Sequence, residues 1–260
     1  MILQTLASGS SGNCALVSGG GTYILLDAGI SMRRIKSSLA LMDLKLEDIS
    51  SVLLTHEHSD HVCALPMLEK YTDIPILTSG GTARSIIAKG KVSGRNFRIL
   101  EPGTELEVGG IAVRPFSTPH DAAESLGFGF EADGGRVAAV TDIGHITGEV
   151  RRAVCGASAV MLEANHDIDM LRSGPYPYPL QRRILGDYGH LSNAAAAEFA
   201  LELVRSGARR LLLVHLSREN NTPRAAYRAV ADGLIAGGVQ PGEISLSVAP
   251  ADEPGCVMEA

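Results

Sequence analysis

The chain has 260 residues, 45% of them hydrophobic, which is enough apolar material for one large α/β domain or two small ones. Its formal net charge of −6 gives no overall attraction to nucleic acid, although bound divalent cations would add positive charge locally. No apolar run approaches the roughly 18 residues of a membrane span. The N-terminal segment lacks a basic region followed by a long apolar stretch. The cysteines form no C-x-x-C pair. We expect a soluble cytoplasmic protein with no membrane partner; the oligomeric state stays open.

Strand-like apolar runs and helical stretches alternate along the whole chain. In chain order, the sequence predicts strands at 2–6, 15–17 and 23–27, a helix at 32–42, a strand at 52–55, a helix at 62–71, a strand at 74–78, a helix at 82–89, strands at 111–117, 126–131 and 136–141, a helix at 149–155, a strand at 159–163, helices at 179–186 and 193–206, a strand at 211–216 and a helix at 223–237.

No linker rich in proline, serine or charge divides the chain into two halves. We therefore expect one domain over residues 1–249. Residues 250–260 carry Pro, Gly and acidic residues without periodicity, and we expect them to form a flexible tail. The mixture of strands and helices favours a layered α/β arrangement over an all-β barrel.

The clearest chemical signal is the run Thr55-His56-Glu57-His58-Ser59-Asp60-His61, directly after an apolar run. Histidine and aspartate are poor core residues, and a metal supplies partners to all of them together. Imidazole nitrogen with carboxylate oxygen suits zinc, iron or manganese better than calcium. His56 and His58 can face the same side of a strand end, whereas Asp60 and His61 fall where the chain turns into a helix, so the run can serve two adjacent metals.

These four ligand candidates resemble the H-x-H-x-D-H signature of the metallo-β-lactamase superfamily. Four more residues resemble the other landmarks of that family in order, namely Asp27, His120, Asp142 and His215. The resemblance implies a four-layered αββα sandwich with the site at the strand ends. It implies that one metal is held by His56, His58 and His120, a second by Asp60, His61 and His215, and that Asp142 bridges them. Asp27 is then expected to hold a ligand imidazole in its metal-binding tautomer.

Two later segments narrow the resemblance. Residues 163–167 (Glu-Ala-Asn-His-Asp) and 189–193 (Gly-His-Leu-Ser-Asn), together with the opening Ser8-Gly9-Ser10-Ser11-Gly12-Asn13, resemble the YycJ (WalJ)-like group and, more distantly, tRNase Z. Both groups act on phosphodiesters. The chain has no room for the exosite arm of tRNase Z, nor for a β-CASP insertion between Asp142 and His215, and this puts tRNA maturation and β-CASP-style nuclease activity in doubt.

We therefore expect a metal-dependent phosphodiesterase with two divalent ions, zinc or manganese or else iron, and a hydroxide held between them as nucleophile. Asp60 is expected to be essential for turnover, His190 to protonate the leaving alkoxide, and Glu163 to orient His190. Ser11 and Asn13 could offer donors to a phosphate, and His166 could line the mouth of the site. Each of these last roles has a structural alternative, since a helix-start histidine, a hydrogen-bonded strand end or a glycine-rich turn needs no ligand.

The YycJ-like resemblance implies 5′-to-3′ exonuclease action, with DNA favoured over RNA as the partner. Two other hydrolytic readings remain, an acyl or thioester hydrolase and a small-molecule phosphodiesterase of the same fold. A metal-bound scaffold without activity is the least favoured, because seven ligands split over two positions exceed the four closed ligands of a structural zinc.

Overall fold

The computed structural model describes residues 1–260 and contains two seven-stranded sheets. The first sheet has the order β14-β1-β2-β3-β4-β5-β6. Its strands are β1 (Ile2–Ala7), β2 (Cys14–Gly19), β3 (Thr22–Leu26), β4 (Ile49–Leu53), β5 (Ile76–Ser79), β6 (Phe97–Leu100) and β14 (Met258–Glu259). Pairing is antiparallel from β14 to β3 and parallel from β3 to β6.

The second sheet repeats this division, with the order β13-β12-β11-β10-β9-β8-β7. Its strands are β7 (Leu106–Val108), β8 (Ile111–Ser117), β9 (Leu126–Ala132), β10 (Gly135–Val140), β11 (Ala159–Glu163), β12 (Arg210–Val214) and β13 (Ser245–Val248). Pairing is parallel from β10 to β13 and antiparallel from β7 to β10. Each sheet therefore has a parallel half whose strands end at one edge.

Nine α-helices connect the strands. They are α1 (Met32–Ala40), α2 (Ser59–Val62), α3 (Leu65–Tyr71), α4 (Gly80–Ala88), α5 (Gly148–Val154), α6 (Ile168–Ser173), α7 (Tyr178–Ile184), α8 (Asn193–Arg205) and α9 (Pro223–Ala236). Six of them begin at a side-chain cap that accepts a backbone N–H of the first turn. No helix is both long enough and apolar enough to cross a bilayer.

Three apolar cores give the molecule four layers. Phe128 and Phe130 lie in the core between the two sheets, with ring centroids 6.1 Å apart. A second core packs the outer face of the second sheet against α5, α8 and α9, and a third packs the first sheet against α1, α3 and α4. Burying one such side chain contributes about 1.5–3 kcal/mol. This layering confirms the predicted αββα sandwich.

The sequence prediction lacks β6, β7, β13, β14 and α6, and two further features differ from it. The helix predicted at 62–71 begins only at Leu65, as α3, and residues 59–62 form the separate short helix α2, because Pro66 lacks the N–H that a continuous helix needs and fits only a first turn. The flexible tail predicted for residues 250–260 is wrong at its end, where Met258 is buried between the sheets and pairs with Leu3 on β1. That contact covers the edge of the first sheet.

Candidate metal centre

The predicted site residues come together where strands of both sheets end. Asp27 follows β3, and the histidine-rich run follows β4. From the second sheet, His120 follows β8, Asp142 follows β10 and His215 follows β12, while Glu163 is the last residue of β11. Carboxyl ends of neighbouring parallel strands meet at one edge, which is why residues so distant in the chain converge.

Three of these residues have a left-handed backbone, which few residues other than glycine adopt. The φ angles are 60° for Asp27, 54° for Asp142 and 57° for His215. Hydrogen bonds hold His215 in this conformation: its N–H donates to Ser8 Oγ at 2.8 Å, and its carbonyl accepts from Asn165 Nδ2 at 2.8 Å. Such strain costs on the order of 1–3 kcal/mol and is typical of functional sites.

The donor atoms form overlapping groups in which all ligand atoms lie within 4.8 Å of one another. These groups are His56/His58/His120, His56/His61/Asp142, Asp60/His61/His215 and Asp142/Glu163/His190/His215. Asp142 lies centrally, because its Oδ1 is 3.7 Å from His120 Nε2 and its Oδ2 is 3.3 Å from His61 Nε2. Two of the four groups, His56/His58/His120 and Asp60/His61/His215, have the same members as the sets that the sequence resemblance implies.

The chemistry of these donors fits divalent cations. His56 Nε2 and His215 Nε2 are buried and have no hydrogen-bond partner, although each nitrogen lone pair needs one. The centre also holds the carboxylates of Asp27, Asp142 and Glu163, all buried, together with the partly exposed Asp60. Buried carboxylates without lysine or arginine partners require compensating positive charge. Clustered histidine and aspartate side chains therefore make this edge suited to binding divalent metals.

The same charges shift the pKa values of the imidazoles. Burial lowers the pKa of His215, but the carboxylates of Asp142, Asp60 and Glu163 outweigh it and raise the pKa to about 10. Burial also lowers the pKa of His61, but Asp142 and Asp27 outweigh it and raise that pKa well above its usual range. Burial and the neighbouring His61 instead hold the pKa of His56 well below its usual range. The carboxylates therefore favour positive charge on the neighbouring groups. Protons on the imidazoles and bound metal ions compete to supply that charge.

Asp27 lies behind the histidine-rich run. Its Oδ2 is 2.8 Å from His61 Nδ1, and its Oδ1 accepts the backbone N–H of Thr55 at 2.8 Å. The Thr55 hydroxyl lies between Asp27 and the imidazoles of His56 and His61, 3.0 Å from His56 Nδ1. Thr55 has no ligand-type side chain, so its residue type alone does not mark it as part of a site. Together these contacts fix which ring nitrogen of His61 faces the centre.

Glu163 is buried and accepts four hydrogen bonds. Its Oε1 lies 2.8 Å from His190 Nδ1 and 2.9 Å from His215 Nδ1. Its Oε2 accepts the backbone N–H groups of Ile143 at 2.9 Å and Leu191 at 3.2 Å. Burial alone would raise the pKa of Glu163, but the charge and hydrogen bond of His190, with that of His215, lower it to about 2. One ionised carboxylate therefore orients two imidazoles and leaves their Nε2 atoms free.

An open cleft of about 430 Å³ lies over the centre, and none of its lining side chains is hydrophobic. Ser10, Ser59 and the partly exposed His190 lie on it, with Lys89 and Arg183 supplying two cations. Arg183 pairs with Asp121, whose Oδ1 is 3.4 Å from His120 Nε2. Lys89 donates to the carbonyl of Glu57 at 2.8 Å. The cleft is an open, polar surface that offers positive charge beside the ligand cluster.

Three predicted substrate contacts lie elsewhere. Ser11 is exposed beside the cleft, where its Oγ accepts from Arg218 at 2.9 Å, and its neighbour Ser10 reaches the cleft instead. Asn13 is buried against two ligand side chains and does not line the cleft, with Nδ2 3.1 Å from His61 Nε2 and 3.3 Å from Asp60 Oδ2. His166 does not line the mouth; it is buried, and neither ring nitrogen has a partner. Asn13 and the loop after Glu163 fold inward, which spacing alone could not reveal.

Sequence reasoning also missed functional candidates. Asp121 directly follows His120, and Arg183 stands in an arginine pair, but neither pattern distinguishes a site residue from a solvated one. Asn165 was singled out only as part of the segment 163–167, whereas its side chain holds the backbone of His215. These contacts join residues far apart in the chain and need the folded structure to appear.

The layered fold and its buried histidine–carboxylate cluster define a metallohydrolase of the β-lactamase fold. The family described as "Beta-lactamase superfamily domain" matches residues 22–216. Exodeoxyribonuclease YycJ of Bacillus anthracis is 34% identical over 241 residues, 92% of this chain and 91% of that protein. Exodeoxyribonuclease WalJ of Streptococcus pneumoniae is 34% identical over 232 residues, 88% of this chain and 86% of that protein.

The fold is also similar to that of a solved structure, Zn(2+)-bound PqqB from Methylobacterium extorquens. The TM-score is 0.76 and the identity 18%, with both chains fully covered, so this likeness concerns the fold alone. The two sequence matches cover most of this chain and of each relative, and they therefore show the family as well as the fold. The chain belongs to the metallo-β-lactamase superfamily and, within it, to the YycJ (WalJ)-like group.

Proposed function

We propose that this metallohydrolase is a phosphodiesterase that acts as a nuclease, with DNA as substrate and 5′-to-3′ exonucleolytic cleavage. The observation that carries the proposal is the cleft, which is lined by candidate ligand side chains together with Lys89 and Arg183 and by no apolar side chain. A phosphodiester backbone is a polyanion, and lysine and arginine are the side chains that bind phosphate. Acyl substrates are usually held in pockets with mainly apolar walls.

The protein side of the reaction follows from the two cationic residues. Arg183 keeps part of its guanidinium free of Asp121, because one carboxylate cannot accept all five N–H donors. Lys89 uses one of three ammonium hydrogens on the Glu57 carbonyl. Both therefore have donors left for phosphate oxygens. Their positions would orient a strand across the ligand cluster and neutralise charge that develops on the phosphoryl group.

When bound at the ligand sets, divalent ions would supply Lewis-acid polarisation of a phosphoryl oxygen and a nucleophile at neutral pH. His56, His58, His120, Asp60, His61, His215 and the central Asp142 are the residues that would hold them. His190 supplies the proton. Glu163 accepts the hydrogen of His190 Nδ1, which leaves Nε2 to carry a proton toward the leaving 3′ or 5′ oxygen.

The choice of DNA and of polarity rests on the group to which the chain belongs. Two relatives that match 92% and 88% of this chain carry the name exodeoxyribonuclease. The 5′-to-3′ direction comes from the sequence resemblance and has no counterpart in the geometry of the cleft. Polarity is therefore the part of the proposal that the first experiment has to decide.

The experiment is a cleavage assay with protein loaded separately with Zn²⁺ or Mn²⁺. Single- and double-stranded DNA and RNA are labelled at either the 5′ or the 3′ end. A 5′-to-3′ exonuclease releases a 5′ label at once as a short product and shortens a 3′-labelled strand stepwise. Asp60→Ala controls for contaminating nucleases, and His145→Ala is the matched control for His190→Ala, because His145 is exposed and outside the cleft.

Cleavage of RNA alone would overturn the assignment of DNA, and release of a 3′ label first would overturn the polarity. If no polymer is cut, two chromogenic substrates decide between the remaining hydrolytic reactions. Hydrolysis of bis(p-nitrophenyl) phosphate would indicate a small phosphodiester, and hydrolysis of an acyl ester such as p-nitrophenyl acetate would indicate an acyl hydrolase. Activity that survives Asp60→Ala would overturn the assignment of the centre.

A further inference from the structure

The segment around α7 has a composition unlike the rest of this acidic chain. Residues 170–186, which lie between Asp169 and Asp187, contain three arginines and no acidic residue, whereas the whole chain has a formal net charge of −6. Three of the six tyrosines, Tyr176, Tyr178 and Tyr188, lie within or just after this stretch. Arginine interleaved with tyrosine is typical of surfaces that bind single-stranded nucleic acid. No step of the proposed reaction uses these tyrosines.

Two of the tyrosines project into solvent. The side chains of Tyr178 and Tyr188 are 71% and 63% exposed, more than any other aromatic residue of the chain. Tyr178 and Arg182 are four residues apart on α7 and therefore share one face of the helix. Large exposed aromatic side chains grouped with cations usually mark a binding surface. We call Tyr178, Arg182 and Tyr188, with Arg183 at the edge of the cleft, the α7 platform.

The α7 platform is fastened directly to the metal centre. The carbonyl of Tyr188 accepts the N–H of Asp121 at 3.0 Å, and Asp121 pairs with Arg183. The N–H of His190 donates to the carbonyl of Ile184, the last residue of α7, at 3.0 Å. These hydrogen bonds hold Tyr188 and the end of α7 next to Asp121 and His190, so a strand bound to the platform would lie close to the ligand cluster.

We infer that the α7 platform binds the single-stranded end of the nucleic acid whose scissile phosphate lies in the cleft. Tyr178 and Tyr188 stack on bases, and Arg182 and Arg183 contact phosphates. No phenylalanine, tyrosine or tryptophan lines the cleft itself, so the platform adds large aromatic side chains beside it. Every base has a π-face, so this binding is independent of sequence. The inference rests on the proposed nuclease function and adds to it a preference for unpaired ends.

A second copy of the chain is the other partner that exposed tyrosines could serve. In a symmetric dimer the same patch faces itself, so an interface on this surface would bring the arginines of α7 close to their own copies. Like charges across an interface oppose association. A polyanion meets the same arginines with opposite charge, and charge complementarity therefore favours a nucleic-acid strand.

The test is a binding titration that uses the metal-loaded protein and a short fluorescent oligonucleotide with nuclease-resistant phosphorothioate linkages. Anisotropy is followed for the single strand and for its blunt duplex. We expect Tyr178→Ala and Tyr188→Ala each to weaken single-strand binding about 5- to 100-fold, as loss of one stacked base predicts. Tyr178→Phe and Tyr188→Phe should bind like the wild type, because phenylalanine keeps the ring. Tyr227→Ala, which removes an exposed tyrosine on α9, is the matched control.

A second measurement separates this inference from the proposed function. Hydrolysis of bis(p-nitrophenyl) phosphate needs the centre but involves no nucleic-acid strand, so Tyr178→Ala and Tyr188→Ala should hydrolyse it at the wild-type rate. Wild-type hydrolysis together with unchanged strand affinity in both alanine variants would overturn the platform and leave the phosphodiesterase intact. Tyrosine-dependent binding by a protein that hydrolyses no phosphodiester would overturn the proposed function instead.

Two other results would also overturn the inference. Equal losses for the single strand and the blunt duplex would show that the tyrosines do not recognise unpaired bases. Conversion of a dimer to a monomer by Tyr178→Ala in sedimentation analysis, with strand affinity unchanged, would show that this surface binds a second copy.

Discussion

Replacing Glu163 with glutamine removes a negative charge from the centre while keeping the size of the side chain. The carboxylate accepts from two imidazoles through Oε1 and from two backbone N–H groups through Oε2. Glutamine has one oxygen, so its NH₂ group must face one of these two pairs. Backbone N–H groups cannot change their role, whereas an imidazole can move its proton to the other nitrogen.

The magnitude follows from which pair loses its acceptor. Leaving two buried backbone N–H groups unpaired would cost about 1–3 kcal/mol each, or about 2–6 kcal/mol together. If the NH₂ group faces the imidazoles instead, His190 and His215 must present a bare Nδ1 and carry their proton on Nε2. In the wild type, His215 Nε2 has no hydrogen-bond partner and is therefore the atom available to bind a metal. We expect this second arrangement and a loss of metal affinity of about 10- to 100-fold, or about 1.4–2.7 kcal/mol.

Competition with a chelating zinc indicator measures the affinity, and the absorption bands of Co²⁺ report the ligand environment. Glu198→Gln is the matched control, because Glu198 is exposed on α8. Wild-type affinity and an unchanged Co²⁺ spectrum in Glu163→Gln would refute the reasoning. A variant that binds metal normally but unfolds about 2–6 kcal/mol more easily would mean that the amide faces the backbone instead.

Four further outcomes are expected. Asp142→Ala should abolish turnover and weaken metal binding while the far-UV circular dichroism spectrum stays unchanged; an active variant would contradict the central position of Asp142. His190→Ala should slow phosphodiester hydrolysis about 10²- to 10⁴-fold, and loss of metal in the same variant would rule out its role as proton donor. Burial lowers the pKa of His166 to about 4 from an ordinary 6.5, so the unfolded chain takes up a proton that the folded chain refuses, and stability should fall by up to about 3 kcal/mol as the pH drops from 6.5 to 4. In urea titrations of metal-free protein, His166→Gln should lack this loss, and equal pH slopes in both proteins would contradict it. Met258→Ala should cost about 2–5 kcal/mol of unfolding free energy in the same assay, against no change for the exposed Val257→Ala.

The strands that carry the site were predictable because they are apolar. β8 and β11 have the bounds that their sequence predicts, since each is bounded by polar or turn residues. β6 was missed because two of its four residues, Arg98 and Ile99, face solvent at a sheet edge. β13 was missed for a similar reason, since its side chains are only partly buried or exposed. Edge strands are specified by their neighbours rather than by their own apolar pattern.

The ligand cluster was predictable from residue types, whereas its surroundings were not. Six histidines of the cluster stand beside carboxylates in a recognisable order, and the structure brings all of them together. The inward position of His166 depends on how residues 165–166 pair with residues 191–193 and is set by contacts across the chain. The helix α6 had a visible signal in its cap, Asp167, but only six residues follow it. Short helices depend on tertiary packing more than on propensity.

The left-handed backbone at Asp27, Asp142 and His215 affects which substitutions selection for stability would favour. Glycine adopts that conformation freely, while another residue there gives up about 1–2 kcal/mol. A lineage screened only for expression or heat resistance would therefore drift toward glycine at these three positions. Its members would keep the sandwich and gain robustness while the metal-binding ability disappeared. Aspartate and histidine at these positions, kept despite their cost in stability, therefore distinguish a chain that can bind metal from a more stable chain with the same fold.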